Sequence, residues 1–313
     1  MDRQRQVAIV GAGITGLTCA RALVEAGWQV RLYDKGRGIG GRLATRRTET
    51  GLRFDHGAQY LCPRDPAFAA LLQGLATGGH VADWPEGPEG GRVGLPGMAQ
   101  VGRALGQGLD VVQGAMVTGL RRAGAGWQLR VDDRTEAADL VVLAIPAPQA
   151  RDLLGQDHRF APDLAAVRYQ ANVTVMLGLD PVAPRPFATR RSEGALAWIA
   201  QDGTKPGRQG QPLTTWVVQA DPDWSMAHID LPFAELADLV APQLLALLGA
   251  DPAQLQHKAA HRWLYAQADR PLGRPFLVDD MTGLIVGGDW ALGPSAEDGW
   301  ASGRAMAAHL LAC

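Results

Sequence analysis

Residues 7–35 read VAIVGAGITGLTCARALVEAGWQVRLYDK, and the rest of the chain is organised around this stretch. Its first residues, 7–10, form a short apolar run of the kind that is buried on both faces of a parallel sheet. Gly11, Gly13 and Gly16 then give the pattern G-x-G-x-x-G and lead directly into a helical pattern of apolar residues. Gly27 is placed to end that helix. This order of strand, glycine turn and helix is typical of the opening of a doubly wound α/β fold.

A second apolar strand, 30–33, ends at Asp34 and completes a dinucleotide-binding fingerprint. In such a fingerprint Gly11 permits the tight turn, Gly13 lets the backbone approach a pyrophosphate, and Gly16 allows the helix to pack closely on the strand. The N-terminus of the helix offers backbone N–H groups to the phosphates, and Asp34 is placed to bind a ribose hydroxyl. We therefore predict a Rossmann-type dinucleotide site.

Composition limits the remaining possibilities. The 313 residues are 47% hydrophobic and 20% charged, which is enough for one or two substantial cores. The formal net charge of −2 gives no indication of a nucleic-acid partner. No apolar run reaches the roughly 18 residues that a membrane helix needs. Cys19, Cys62 and Cys313 are scattered without C-x-x-C spacing, so we expect a cytoplasmic protein without a metal site.

The loop that follows the fingerprint is rich in glycine and carries two arginines. It reads KGRGIGGR from Lys35 to Arg42. Such a loop can lie close to a ligand, and Arg37 or Arg42 would supply a planar donor to phosphate. We interpret it as a ligand-contacting loop rather than a solvated turn.

Several motifs, taken together, resemble the renalase-type branch of the flavin amine oxidase superfamily. The pattern D-K-G-R-G-x-G-G-R-x-x-T-R at 34–46 is followed by D-H-G-A-Q-Y at 55–60. Later segments of the chain match further signatures of that family, namely VGLPGM at 93–98, TKPGR at 204–208, HRWLYA at 261–266, GGDW at 287–290 and GWASG at 299–303. The resemblance covers nearly the whole chain, so it is more specific than any one motif.

This resemblance implies a non-covalent FAD and a substrate domain that covers the flavin ring. It also implies an oxidase that takes hydride from 2- or 6-dihydro isomers of NAD(P)H, with O2 as the electron acceptor and NAD(P)+ and H2O2 as products. Three alternatives stay open: a flavin amine oxidase, an FAD-binding protein without catalysis, and a nicotinamide-dependent dehydrogenase. The loop at 36–42 and the Gly-Gly-Asp at 287–289 favour FAD over NAD, because a shorter ligand would not require these additional contacts.

The residues expected to contact FAD come from both ends of the chain and from the family motifs. They are Gly11, Gly13, Ile14, Thr15, Gly16, Asp34, Lys35, Gly41, Arg42, His56, Gly57, Ala58, Gln59, Val117, Gly288, Asp289, Gly299 and Trp300. By resemblance, Val117 passes near the adenine, and His56 and Gln59 lie close to the isoalloxazine. Asp289 ends an apolar strand and can bind a ribityl hydroxyl.

The start of the last helix is open between two positions. Ser295 with Asp298 fits a capping box and favours an early start, whereas the family pattern favours a start near Gly299. In either case its N-terminus, aimed at the flavin C2 carbonyl, would stabilise negative charge that grows there as hydride arrives.

The candidate catalytic residues, which would line the substrate, are His56, Gln59, Tyr60, Trp263 and Lys205. Hydride transfer to a flavin needs positioning more than acid–base groups. Tyr60 is expected to meet Trp263 and Tyr265 at the ring, and His261 shares a strand face with Trp263. Lys205 either binds phosphates of the substrate or lies on a solvated loop. Cys313 follows the last helix, so we do not expect it to carry the flavin covalently.

The predicted fold class is α/β, with a discontinuous Rossmann-type FAD-binding domain and a second α+β substrate domain on a mostly antiparallel sheet. The FAD-binding domain is assigned to 1–60, 93–150 and 276–313, and the substrate domain to 61–92 and 151–275. Strands are predicted at 172–179, 195–201 and 213–219, and an amphipathic helix at 233–248 ended by Gly249.

Overall fold

A computed structural model describes residues 5–312. The strands in chain order are β1 Gln6–Val10, β2 Gln29–Asp34, β3 Thr45–Arg47, β4 Arg53–Asp55, β5 Val81–Asp83, β6 Arg92–Gly94, β7 Asp110–Gln113, β8 Val117–Ala123, β9 Gly126–Val131, β10 Arg134–Ala138, β11 Leu140–Leu143, β12 Arg168–Leu179, β13 Thr189–Arg191, β14 Trp198–Gln201, β15 Thr214–Gln219, β16 Leu255–Arg270, β17 Phe276–Asp279 and β18 Leu284–Gly287. The α-helices are α1 Ile14–Glu25, α2 Pro66–Thr77, α3 Ala99–Gly106, α4 Ala147–Leu154, α5 Ala161–Ala166, α6 Pro222–Ala227, α7 Phe233–Leu248 and α8 Ala296–Ala312.

The chain folds into two compact units, each built from separate segments. Among the described residues, the first unit consists of 5–41, 102–169 and 267–312, and the second of 42–101 and 170–266. Residues 151–169 and 267–275, which the sequence suggested as part of the substrate domain, lie in the first unit. Residues 42–60 and 93–101, which it suggested as part of the flavin domain, lie in the second. There Arg53 donates its backbone N–H to Gln211 Oε1 at 2.6 Å, and Gln219 Nε2 donates to the Gly57 carbonyl at 2.8 Å.

The first unit is organised around a six-stranded sheet with the order β17-β18-β11-β1-β2-β7. β1 pairs in parallel with β2 and with β11, and β11 pairs in parallel with β18. β17 alone among these pairs antiparallel, at the edge beside β18. The central strands are apolar on both faces because helices cover the sheet, as parallel sheets require. A three-stranded antiparallel sheet, β10-β9-β8, belongs to the same unit.

The first and last helices of this unit pack against each other without intervening side chains. A Cβ added at Gly303 of α8 would stand 2.4 Å from the Thr15 carbonyl oxygen of α1, so only glycine permits this approach. The N-terminal and C-terminal segments of the described chain are therefore held together inside one unit.

The second unit is built on a five-stranded sheet with the order β13-β14-β15-β12-β16. β15 pairs antiparallel with β12 and with β14. β14 and β15 are almost entirely buried, and β12 is buried from Val173 onward. α7 packs its apolar face onto this sheet through Leu236, Val240 and Leu244. Gly249 ends the helix in the left-handed region at φ +67, where glycine carries no Cβ penalty. The predicted α/β fold class, with a second domain built on a mostly antiparallel sheet, is confirmed.

The structure also contains elements that the sequence pattern did not indicate. β5 and β6 form a short antiparallel hairpin within 77–97, a region that reads as an irregular loop. No helix in the described range 5–312 is long and apolar enough to cross a membrane.

Candidate functional site

The opening turn of the first unit is as compact as the fingerprint predicts. Gly11 has φ +102, and a Cβ there would stand 2.5 Å from the Ala144 carbonyl oxygen on the adjoining chain segment. A Cβ at Gly16 would stand 2.0 Å from the Gly11 carbonyl oxygen. These two positions accept only glycine because backbone fills the space that a side chain would need.

Gly13 differs from Gly11 and Gly16 because the space beside it is open. It is the N-cap of α1, no side chain caps the helix there, and an added Cβ would meet no atom within 4 Å. The loop at 36–41 passes along the same turn, where Gly40 donates its N–H to the Ala12 carbonyl at 2.8 Å. Uncapped N–H groups at a helix start beside open space fit a pyrophosphate.

Asp34 organises the backbone on both sides of this turn. Its Oδ2 accepts the N–H of Ala12 at 2.6 Å, and its Oδ1 accepts the N–H of Gly36 at 2.7 Å. Each carboxylate oxygen has a second lone pair, so a ribose hydroxyl can still be bound. The Asp34 carbonyl accepts the N–H of Ala115, which brings the half-buried Val117 to the same edge of the unit. Lys35 is exposed at this edge.

The C-terminal segment meets the start of α1 at Gly299. A Cβ at Gly299 would stand 2.9 Å from Ile14 Cγ2, 3.0 Å from Thr15 Oγ1 and 3.5 Å from Asp289 Cβ. Asp289 is 6% exposed, and the preceding Gly288 donates its N–H to Ser302 Oγ at 3.1 Å. Segments nearly three hundred residues apart in the chain therefore converge beside the glycine turn.

The start of α8 follows the capping box rather than the family pattern. The helix begins at Ala296, with Ser295 as its cap: the Ser295 N–H donates to Asp298 Oδ2 at 2.9 Å, and the Asp298 N–H donates to Ser295 Oγ at 3.3 Å. Gly299 therefore lies inside the helix. Glu297 and Asp298 place two carboxylates in the first turn, which offsets the positive end that was expected to face the flavin. Trp300 is buried, with the Arg304 guanidinium 4.8 Å from its ring centroid.

In the second unit three candidate rings form one cluster, the ring cluster of His56, His261 and Trp263. The centroids of His56 and Trp263 are 5.5 Å apart and stacked, and those of His261 and Trp263 are 4.4 Å apart. Trp263 Nε1 donates to the His56 carbonyl at 2.8 Å. The expected shared face of His261 and Trp263 is confirmed.

The histidines of the ring cluster are neutral at physiological pH. Burial, the neighbouring His261 and the positive charge of Arg46 lower the pKa of His56 to about 4. Burial, Arg46 and Arg262 also lower the pKa of His261. The cluster is therefore uncharged and lies within the positive field of Arg46, with the His261 ring edge-on to the stacked pair of His56 and Trp263.

Tyr60 and Gln59 occupy other positions than expected. The Tyr60 ring contacts Trp198 of β14, with centroids 5.9 Å apart, instead of joining Trp263. Gln59 is 5% exposed, and its Nε2 donates to the carbonyls of Asp55 and Gly57, so its amide is used inside the unit.

Arg42 and Lys205 were expected to bind phosphate, but both make their contacts within the second unit. Arg42 Nη1 donates to the carbonyls of Tyr265 and Ala266 at 3.1 and 2.8 Å. Lys205 is 1% exposed, so its assignment to a solvated loop is wrong. Its Nζ lies 2.7 Å from Asp202 Oδ1 and donates to Asp55 Oδ2, so the ammonium that was expected at a phosphate already faces two carboxylates.

Gly57 and Ala58 are fixed against the backbone of Arg42. A Cβ at Gly57 would stand 2.0 Å from the Arg42 carbonyl oxygen, and Ala58 donates its N–H to that same oxygen at 2.9 Å. Both motif residues are therefore placed by the fold of the second unit.

Three polar residues of the second unit were missed from sequence: Asp55, Asp202 and Arg208, all buried with Lys205. Asp202, Lys205 and Arg208 recur at intervals of three, one acidic residue followed by two basic ones, and that spacing was a usable signal for an internal ion cluster.

The comparisons with known proteins agree with this architecture. Residues 9–75 match the NAD(P)-binding Rossmann-like domain, and residues 73–311, more than half of the chain, match the family of flavin containing amine oxidoreductases. The FAD-dependent monooxygenase azaH of Aspergillus niger is 27% identical over 239 residues, covering 64% of this chain and 54% of that protein. A second FAD-dependent monooxygenase of that species, orf3, is also 27% identical. The chain thus spans about half the length of these curated relatives.

Solved structures share the fold along the whole chain. The crystal structure of an Exiguobacterium sp. 255-15 protein assigned as a protoporphyrinogen oxidase superposes with a TM-score of 0.78 at 15% identity, covering 98% of this chain and 99% of that one. Wild-type putrescine oxidase bound to putrescine gives a TM-score of 0.68 at 16% identity, covering 99% of this chain and 100% of that one. These structures show the shared fold, and the family model that matches residues 73–311 shows that the chain belongs to the flavin-containing amine oxidoreductase family, an FAD-dependent class of oxidoreductases.

Proposed function

We propose that the protein is an oxidase that takes hydride from a small planar reduced substrate, the 2- or 6-dihydro isomers of NAD(P)H. The products are NAD(P)+ and, after reoxidation by O2, H2O2. Bound FAD supplies the hydride acceptor. The chain's own residues bind and orient the partners, and the motifs at 34–46 and 55–60 support this assignment.

The dinucleotide is proposed to lie on the first unit. The N–H groups at the start of α1, beside Gly13, would hold the pyrophosphate, and Asp34 would hold the ribose. The other residues of this unit that are proposed to contact FAD lie at this edge or in the adjoining C-terminal segment. They are Lys35, Gly41, Val117, Gly288, Asp289, Gly299 and Trp300.

The attachment is proposed to be non-covalent. Cys19 is buried inside α1, and burial raises the pKa of its thiol to about 12, so no thiolate forms there. Cys62 is an exposed free thiol. Cys313 lies outside the described residues. The free thiols are also the basis for proposing a reducing, cytoplasmic location.

The observation that carries the substrate proposal is the positive field at the neutral ring cluster. Arg46, on β3, lowers the pKa of His56, of His257 and of His261, in each case after the larger effect of burial. A protonated amine would be repelled by this field. A dihydronicotinamide ring is uncharged and flat, and the pyrophosphate of its dinucleotide is attracted to an arginine.

The neutral histidines also agree with the chemistry. The ring nitrogen of a dihydropyridine carries no proton that must leave, so hydride transfer needs no general base. The ring cluster has only to stack on the substrate and exclude water from that face.

A small amine is the second candidate, because the family model is that of amine oxidoreductases and putrescine oxidase shares the fold. A neutral imidazole such as His56 can accept a hydrogen bond from the free-base form of an amine. An FAD-binding protein without catalysis is the remaining possibility.

Anaerobic reduction of the bound flavin separates these candidates. The purified yellow protein is mixed with NADH isomers made by borohydride reduction of NAD+, with ordinary NADH, and with putrescine. We expect rapid bleaching of the flavin absorbance by the isomers and slow bleaching by the other two. Bleaching by the amine alone would reverse the ranking, and no bleaching by any of them would leave a non-catalytic FAD protein.

A further inference from the structure

Four charged side chains of the second unit form a buried quartet: Asp55, Asp202, Lys205 and Arg208. Arg208 lies 2.7 Å from a carboxylate oxygen of each aspartate. Lys205 Nζ lies 3.1 Å from Asp55 Oδ2 and 2.7 Å from Asp202 Oδ1. All four side chains are at most 1% exposed, so two negative and two positive charges balance within the core.

Both carboxylate oxygens of Asp55 have more than one partner. Its Oδ1 accepts from Thr45 Oγ1 at 2.6 Å and from the Met98 N–H at 2.9 Å, while its Oδ2 faces Lys205 and Arg208. Burial alone would raise the pKa of Asp55, but Lys205, Arg208 and the hydrogen bonds from Thr45 and Met98 together outweigh burial and lower it. The carboxylate is therefore ionised, and the backbone at residue 55 is fixed.

The quartet reaches the 55–59 segment through the amide of Gln59. Lys205 Nζ donates to Gln59 Oε1 at 3.3 Å. The Nε2 of the same amide therefore faces away from the ammonium. That Nε2 donates to the carbonyls of Asp55 and Gly57. The ammonium therefore holds the amide in the orientation in which its NH2 group faces these two carbonyls.

Two further side chains bind carbonyls of the same segment. Trp263 Nε1 donates to the His56 carbonyl, and Gln219 Nε2 donates to the Gly57 carbonyl, both at 2.8 Å. Three consecutive carbonyls, at the end of β4 and in the irregular segment that follows it, are thus bound by side chains. This leaves His56 with one backbone placement, and its ring belongs to the ring cluster.

We propose that Lys205 is a positioning residue, which fixes the Gln59 amide and through it the 55–59 segment that presents His56 to the substrate. The inference rests on the proposed function only for the identity of that substrate. It replaces the expectation that Lys205 itself touches the reacting molecule.

The test separates positioning from the cost of burying unbalanced charge. Lys205→Met alone would leave a net negative charge in the core, which destabilises the fold directly. Lys205→Met with Asp202→Asn removes one charge of each sign, so the pair of Asp55 and Arg208 remains balanced. This double variant keeps the fold but leaves Gln59 Oε1 without its donor.

Each variant is compared as the FAD-loaded full chain. The matched control is Lys258→Met with Asp238→Asn, a surface ion pair of the same residue types. The measurements are the unfolding temperature, backbone hydrogen exchange of the peptide that covers 55–59, the visible circular dichroism of the bound flavin, and kcat and KM with the dihydronicotinamide isomers.

We expect the core double variant to unfold near the wild-type temperature, but with exchange at the His56 and Ala58 amides faster by about tenfold and kcat lower by about tenfold at little changed KM. Gln59→Met, which leaves all four charges in place, should reproduce the same pattern. Wild-type exchange and kcat in a stable double variant, or in Gln59→Met, would overturn the proposal. If the double variant does not fold, Gln59→Met decides the question alone. If no isomer reduces the wild-type flavin, the proposed function fails, while exchange and circular dichroism still decide the positioning.

Discussion

At Gly13 the backbone itself has no need of glycine. Its φ of −74 and ψ of 178 suit any residue, and a Cβ there meets no atom within 4 Å. Gly13→Val should therefore fold normally but occupy the space of the pyrophosphate, giving a colourless protein that does not retain added FAD. Absorbance after gel filtration measures the flavin content, with Gly74→Val in α2 as the control because that site is also open. If the Gly13→Val protein retains its flavin and is yellow, the pyrophosphate does not bind at this turn.

Arg46 is the residue whose charge separates the substrate candidates. Reversing it in Arg46→Glu should raise KM for the dihydronicotinamide dinucleotides by about fivefold at low salt, because an exposed positive charge becomes a negative one. The effect should fade at high salt. Arg47→Glu, the next residue on β3, controls for net charge. Steady-state kinetics at two salt concentrations measure both variants, and equal effects of the two substitutions would contradict a role for Arg46.

At single positions, sequence reasoning worked where the reason was local. Gly11 and Gly16 were assigned to a tight turn and to close packing, and backbone atoms do fill the space beside them. Lys205 was not placed correctly, because TKPGR reads as a polar turn in isolation. Its burial depends on Asp55, which lies 150 residues earlier in the chain. A local sequence pattern cannot indicate a contact between residues so far apart in the chain.

At the scale of elements, the cap of α8 decides where the helix begins. Ser295→Ala removes the acceptor for the Asp298 N–H and one half of the capping box. The free energy of unfolding should fall by about 1 kcal/mol. Urea denaturation with FAD in excess measures it, and Ser192→Ala, an exposed serine outside any helix, is the control. Equal stability of the two variants would mean that the cap does not hold this helix.

The helix α7, with its clear apolar face, was predictable to the residue, and short strands were not. α7 runs over 233–248 with Gly249 as its stop, as its amphipathic pattern indicates. β5 and β6 have three residues each, too few for an alternation to show. β16 is 16 residues long but only partly buried along most of its length, so no apolar run marks it.

At the scale of the whole molecule, the fingerprint predicted a discontinuous first unit, and the approach of Gly299 to Ile14 and Thr15 shows its two ends meeting. The membership of 42–60 was not predictable in the same way. It depends on side chains such as Gln211 and Gln219, which bind that segment from another part of the chain. Motif order in a sequence gives the family of folds, but contacts between distant segments decide where each unit ends.

Stability of the whole molecule should depend on pH through the buried histidines. The pKa of His56 is about 4 in the folded protein, against 6.5 as its ordinary value, because burial, His261 and Arg46 all disfavour its charged form. Below pH 6.5 the unfolded chain binds a proton that the folded chain does not. The contribution of His56 is therefore fully present above pH 6.5 and is lost progressively as pH falls to about 4.

The size of this effect follows from the same values. A difference of about 2.5 pH units corresponds to at most about 3 kcal/mol, and the lowered pKa of His261 and of His257 adds in the same direction. Denaturant unfolding of the FAD-loaded protein at pH 8.0, 6.5 and 5.0 should show a stable plateau and then a decline. His56→Gln should flatten that decline by about 2 kcal/mol. The His56→Gln protein could instead lose stability as steeply as the wild type between pH 6.5 and 5.0. In that case a group other than His56 takes up the proton on unfolding.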